Sequence, residues 1–125
     1  MRYSASLKLR ITNLTRNTVL GDRIDVADTS AKRRTGLLKH KGLAAGEGLW
    51  IVPCESVHTF FMKFAIDLVY VGKDRKVRKV RHAVKPWRMS ACLRAHSTLE
   101  LPAGAAAKSG TQTGDELGVE TLRSE

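Results

Sequence analysis

No apolar run in this chain approaches the roughly 20 residues that a membrane helix needs, so no helical membrane span is expected. Cysteine is scarce as well. The two present, Cys54 and Cys92, cannot make a disulfide framework, which fits a reducing compartment. The first residues, MRYSASLKLRITNLTRN, start positive but hold no uninterrupted apolar segment and no small-residue cleavage site. No secretory leader is therefore expected, and the cytosol is the expected compartment. Internal repeats, low-complexity tracts and linkers are missing too, so one domain over residues 1–125 is expected. Acidic residues are few: 12 Asp and Glu face 22 Lys and Arg, leaving a net charge of +10 and a pI near 10.1.

The chain is long enough to bury a real core without disulfides or metal. Its 42% hydrophobic and 27% charged residues describe a soluble globular protein rather than a disordered one. The basic excess is concentrated in residues 1–41 and 73–94, whereas the stretch from Thr98 onward is net acidic. Such a field attracts nucleic acid, acidic proteins or anionic surfaces, and bears on encounter rather than on fold.

Leu7, Leu9 and Ile11 alternate with Lys8, Arg10 and Thr12, the period of a half-buried strand. A second strand is expected over Thr18–Ala27, with a bulge or close backbone approach at Gly21. Asp28-Thr29-Ser30 offers side-chain oxygens to the first amides of a helix running from Ala31 to about Lys39, stopped by Gly42 or Gly46. That helix would turn Lys32, Arg33 and Arg34 outward and Leu37 and Leu38 inward. Leu49–Val52 reads as a buried strand closed by Pro53. Val57–Phe64 and Ile66–Val71 read as one long strand, or two joined at Ala65. Gly72–Arg75 turns the chain into a strand over Lys76–Ala83. Because Val77 and Val80 are three apart, a bulge near Arg78 is needed to restore register. Thr98–Leu101 and Glu116–Leu122 complete the strands, with a helical turn at Ala103–Ser109. Short strands, Gly/Pro/Asp turns and one main helix near residues 30–39 predict a mainly β, β-rich α+β domain, a compact sandwich or a barrel-like, jelly-roll-like form.

Six pieces in fixed order carry a family resemblance: RRTGLL (Arg33–Leu38), GLWIVP (Gly48–Pro53), SVHTFFMKFAIDLVYV (Ser56–Val71), KPWR (Lys85–Arg88), LELPAG (Leu99–Gly104) and GDEL (Gly114–Leu117). From about Ile11 to Val119 the chain resembles the bacterial and archaeal family called domain of unknown function 192. The resemblance implies a compact, mostly β fold and no activity. Three positions depart from the family pattern. Leu38 stands for a frequent Met, Ala65 for Pro, and Asp74-Arg75 for an Asp-Gly turn, where a positive φ suits Arg poorly.

Several constellations have the residue types for chemistry. Cys54 with His58 and Cys92 with His96 supply two thiolates and two imidazoles, the set a zinc site takes, although strand spacing holds i and i+4 apart. The other reading makes Cys54 a small hydrophobe. On a strand, His58, Phe60, Met62 and Phe64 would share one face and Thr59, Phe61 and Lys63 the other. Asp67, between Ile66 and Leu68, is either a hydrogen-bonded anchor or part of a Cys54–His58–Asp67 thiol arrangement. Glu100 has the same two readings, with pairing to an arginine expected. The basic hairpin (Lys76, Arg78 and Lys79 at its centre), with Trp87 and Arg88 following and Arg33–Arg34 extending it, could track phosphates and stack a base. An edge strand kept soluble by charge explains the same residues. No RNP-like aromatic pair, helix-turn-helix or Gly-rich phosphate loop accompanies it.

The sequence thus predicts a small non-enzymatic binding or accessory domain without a cofactor. It would take an anionic small molecule, acidic protein or nucleic acid through His58, Trp87, Arg88 and the hairpin. The alternatives are a zinc-binding or hydrolase-like protein centred on Cys54, His58 and Asp67 with Cys92 and His96, and a nucleic-acid binder using residues 73–81.

Overall fold

The computed structural model describes residues 6–38 and 40–124. Along them run β1 (Ser6–Asn13), β2 (Thr18–Ala27), α1 (Ser30–Thr35), β3 (Glu47–Ile51), β4 (Ser56–His58) and β5 (Ile66–Val71). Then come β6 (Val77–Val84), β7 (Met89–Ala91), β8 (Ser97–Pro102), α2 (Ala105–Ser109) and β9 (Leu117–Ser124). Seven strands form one mixed sheet in the order β6-β5-β8-β3-β2-β1-β9, and β4 pairs with β7 in a small second sheet. Among the described residues only β2 and β3 pair in parallel. Backbone bonds link one end of the two outer strands, with Val77 N–H donating to Asp115 O (2.8 Å) and Leu117 N–H to Arg75 O (2.9 Å). The sheet does not close into a barrel, and the fold is a β-rich α+β domain.

All six residues of β5 are buried, as expected of a strand covered on both faces. Alternation sends Val69 and Val71 to one side, with Trp50, Leu99 and Leu101, into a core completed by β1, β2, β9 and Ala106 of α2. Ile66, Leu68 and Tyr70 point the other way, to Leu49, Ile51, Leu37 and Met62. The second core takes in Leu37 and Leu38 just after α1 and Val57 of the small sheet, and it borders the candidate site. Gly48 permits this packing: a Cβ there would sit 2.6 Å from Glu100 O, so β3 and β8 come together only with glycine at that point.

Bulges fall where the sequence places them at Gly21, opposite Ile11, and at Arg78, between the Tyr70–Lys79 and Val71–Val77 pairs. Two expectations are corrected. The helix expected near residues 30–39 ends at Thr35, because Gly36 caps it at φ 49°; Lys39 lies outside the described residues. Thr29 is the N-cap, its hydroxyl accepting from Lys32 N–H at 3.1 Å. The long strand expected over Val57–Phe64 stops at His58. Phe61 then takes φ 66°, which no strand permits, so the two-face reading of His58–Phe64 fails. At the hairpin, Arg75 itself adopts φ 66°. A three-residue loop results, with Gly72 N–H donating to Lys76 O and Arg75 N–H to Gly72 O. The Arg75 guanidinium lies 5.5 Å from the Trp50 ring centroid, a contact glycine would lack.

Candidate functional site

A cleft of about 730 Å³ opens between α1 and the segment that joins β3 to β5. Leu37, Ile51 and Met62 are buried in its floor. Arg34, Glu55, His58 and Phe61 are exposed at its rim, where the half-buried Arg33 joins them. Helix α1 supplies the cations because its last turn reads Lys32-Arg33-Arg34. The Gly36 cap then turns the chain so that Leu37 and Leu38 reach the second core.

Glu100 also lines this cleft. It pairs with Leu49 on one side and Leu68 on the other, so its side chain is set among apolar neighbours on the second-core face. The residue is 4% exposed, and Oε1 has no hydrogen-bond partner. Burial alone pushes the carboxyl from its ordinary 4.5 to about 7. The arginine partner expected for it is not found among the described ion pairs. Nearby, Tyr70 Oη is buried without a partner, with Ser90 close by but outside ordinary hydrogen-bond geometry. Burial raises that phenol as well.

Cys54 lines the same cleft. Its thiol donates to Ser56 O at 3.2 Å, and its carbonyl accepts from Thr98 Oγ1 at 3.1 Å. Burial pushes the thiol up, with Glu100 adding to the rise, against Thr98, Ser56 and the Arg33 guanidinium, which lower it. A thiol held neutral in this way is a poor nucleophile. His58 shares the cleft, yet its ring leans on Phe60 with centroids 5.0 Å apart.

Asp67 stands elsewhere. On β5 it belongs with Val69 on the first-core face, where Oδ1 accepts from Ala83 N–H (2.8 Å) and Oδ2 from Gly104 N–H (3.0 Å) and Ala106 N–H (2.9 Å). It therefore caps α2, whose N-cap Gly104 has no side chain to do so, and ties that helix to a second irregularity of β6, between the Ile66–Val84 and Leu68–Arg81 pairs. This is the anchor reading, and the Cys54–His58–Asp67 arrangement does not form. The two Cys-x-x-x-His units do not assemble either. Among the described residues no three His, Cys, Asp or Glu side chains are placed to hold one metal ion. His96 lies in a second cleft of about 590 Å³ with Arg78, Lys73 and Arg94, and Cys92 donates its N–H to Glu55 O.

The expected binding residues are only partly brought together. Trp87 stacks on Phe60 at 5.7 Å and meets Phe61 edge-on at 4.7 Å, forming an exposed ledge beside His58 with Arg88 next in the chain. Phe61 and Trp87 both have φ 66°, a conformation bulky residues adopt only under constraint. Thr59 supplies that constraint. Its N–H donates to Arg88 O (2.8 Å), its carbonyl accepts from Trp87 N–H (3.0 Å), and its hydroxyl donates to Lys85 O (2.7 Å) while accepting from Arg88 N–H (2.9 Å). Sequence reasoning missed Thr59 because a lone threonine in an apparent strand carries no mark of a loop clamp. Two of the hairpin cations are engaged within the chain: Arg78 pairs with Asp74 at 2.8 Å and Lys79 donates to Ala91 O at 2.8 Å, while Lys76 is exposed. No helix among the described residues is long and apolar enough to cross a membrane.

Comparison with known proteins places the chain. Residues 11–119 match the model of the family domain of unknown function 192, described as "Uncharacterized ACR". A UPF0127 protein of Thermococcus sibiricus is 31% identical over 111 residues, covering 84% of this chain and 71% of that protein. Two solved structures share the fold. One, a protein of unknown function from Novosphingobium aromaticivorans, has 24% identity and a TM-score of 0.73 over 88% of this chain and 82% of its own. The other, from Sinorhizobium meliloti and described as a candidate transcription regulator, has 18% identity and a TM-score of 0.79 over 95% of this chain and 98% of its own. A family match over most of its length, together with the Thermococcus relative, shows that the chain belongs to the domain of unknown function 192 family.

Proposed function

We propose that this protein is a binding domain for a small amphipathic molecule, held in the cleft between α1 and the β3–β5 segment. The observation that carries the reading is Glu100, a buried carboxyl whose Oε1 has no partner, in a cleft with an apolar floor. Such a group costs about 1–3 kcal/mol while unpartnered, and a pocket with an apolar floor and a few convergent polar groups is what small-ligand sites look like. Arg33 and Arg34 give the mouth two positive charges for an anionic end of the ligand. The probe 1-anilinonaphthalene-8-sulfonate, an apolar body with one anion, tests the reading. It should bind the native protein near 1:1, more weakly in Arg33→Glu/Arg34→Glu, and hardly at all in Val57→Trp, which fills the cleft. Binding indifferent to all three changes, with native near-ultraviolet circular dichroism intact, sinks the reading.

A second reading is favoured by the exposed ledge of Phe61 and Trp87, 70% and 57% exposed, with Lys63, Lys85 and Arg88 close to it in the chain. Aromatic faces among cations suit single-stranded nucleic acid. Binding of oligouridylate that weakens steeply with salt and with Trp87→Ala supports it. Binding that weakens only when Lys76, Arg78 and Lys79 become Glu moves the contact to the hairpin.

A further inference from the structure

Building on the cleft reading, we propose that the molecule held there is an amphipathic primary amine, its ammonium bound to Glu100 and its apolar body laid over Leu37, Ile51 and Met62. Glu100 is an acceptor in need of a donor, and an ammonium brings three donors with a compensating charge. Among the described residues nothing plays that part: their ion pairs do not include Glu100, and burial is the sole cause of its shift. A metal ion fits poorly, since no three ligating side chains converge among the described residues. Arg33 and Arg34 at the rim accommodate an anionic group at the other end of the same molecule, so the two ends of the ligand meet opposite charges.

The titratable groups that share the cleft with Glu100 are Arg33 and Arg34 from α1, Cys54 and Glu55 from the connection after β3, and His58 of β4, while Tyr70 stands two residues along β5 from Leu68, the register partner of Glu100. With its carboxyl near 7, Glu100 is about half protonated at neutrality. Binding an ammonium favours the carboxylate, so the carboxyl O–H bond breaks and its proton passes to solvent. The ammonium keeps its own three protons and forms the ion pair. Affinity should therefore tighten about tenfold between pH 6 and pH 8.

Three probes separate the possibilities: 6-aminohexanoate, with an amine and a carboxylate; hexylamine, with the amine alone; and hexanoate, with the carboxylate alone. Isothermal titration of the full chain should rank them in that order. Glu100→Gln should weaken the two amines by about tenfold or more, leave hexanoate unchanged and abolish the pH dependence. Should that variant fail to fold, the pH profile of the natural chain decides, since amine affinity that is flat from pH 6 to pH 8 overturns the proposal. Hexanoate binding as well as 6-aminohexanoate overturns the amine while leaving the cleft reading standing. No binding by any of the three overturns both.

Discussion

Two buried carboxylates sit almost side by side in this sheet, and the chain treats them in opposite ways. Asp67 pairs with Leu101 and Glu100 with Leu68, so they are neighbours in register on opposite faces. Asp67 is wholly buried and accepts three backbone amides. Glu100 is nearly as buried and leaves Oε1 bare. Burial of a charge is tolerated when hydrogen bonds replace water and is costly when they do not. The first carboxylate is therefore a structural part. The second imposes a cost that no described residue offsets, and that is the ground on which we propose it as part of a binding site.

The largest effect should come from cutting the anchor. Asp67→Ala leaves three amides without their acceptor and is expected to cost about 4 kcal/mol, with Asp67→Asn costing less, as read from urea unfolding. Glu100 should act in the other direction. Its folded value of about 7 stands above the ordinary 4.5, so its contribution is fully present below 4.5 and is lost as pH rises through 7. The loss amounts to about 3 kcal/mol at most. Glu100→Gln should flatten that slope and raise stability at pH 8 by about 2 kcal/mol, while changing little at pH 4.5. Asp115 works on the acid side. Burial would raise its carboxyl, but hydrogen bonds from Arg16, Asn13 and Gln112 N–H bring it below the usual value. Its contribution is present above the ordinary carboxylate value and is lost as pH falls through the depressed one, so Asp115→Asn should flatten the acid limb of the stability profile.

Smaller changes sharpen the contrast between closed and open regions. Thr59→Val removes the hydroxyl that clamps Lys85 O and Arg88 N–H, and should cost about 1.5 kcal/mol. It should also loosen the ledge, seen as faster amide exchange at Trp87 and Arg88. Arg75→Gly relieves a positive φ but forfeits the Trp50 contact, for a net change within about 0.5 kcal/mol in thermal unfolding.

Much of the sheet was legible in the sequence because it follows from alternation and turn chemistry. Thr18–Ala27, Ile66–Val71 and the bulges at Gly21 and Arg78 come from local pattern alone. The segment after His58 was not legible. Its apolar run VHTFFMKF looks like a strand, and only the long-range hold of Thr59 on the 85–88 loop forces Phe61 and Trp87 out of extended backbone. The end of α1 turned on one residue, Gly36, rather than on the later glycines. As for the site, the sequence singles out His58 and Cys54, and the two share a cleft. Glu100 was recognised as an odd charge but expected to pair, because sequence cannot show that no described arginine reaches it. Arg75 took the strained turn position that composition argued against, since its guanidinium gains a ring to lie on.

The central claim is that Glu100 is held uncompensated in a cleft built to receive a partner. The direct test is the ionisation of that one side chain, followed by the ¹³C shift of its carboxyl carbon in the folded protein. The expected result is a midpoint near 7 that moves down when 6-aminohexanoate is added. A midpoint near the ordinary 4.5, unmoved by the amine, would contradict it.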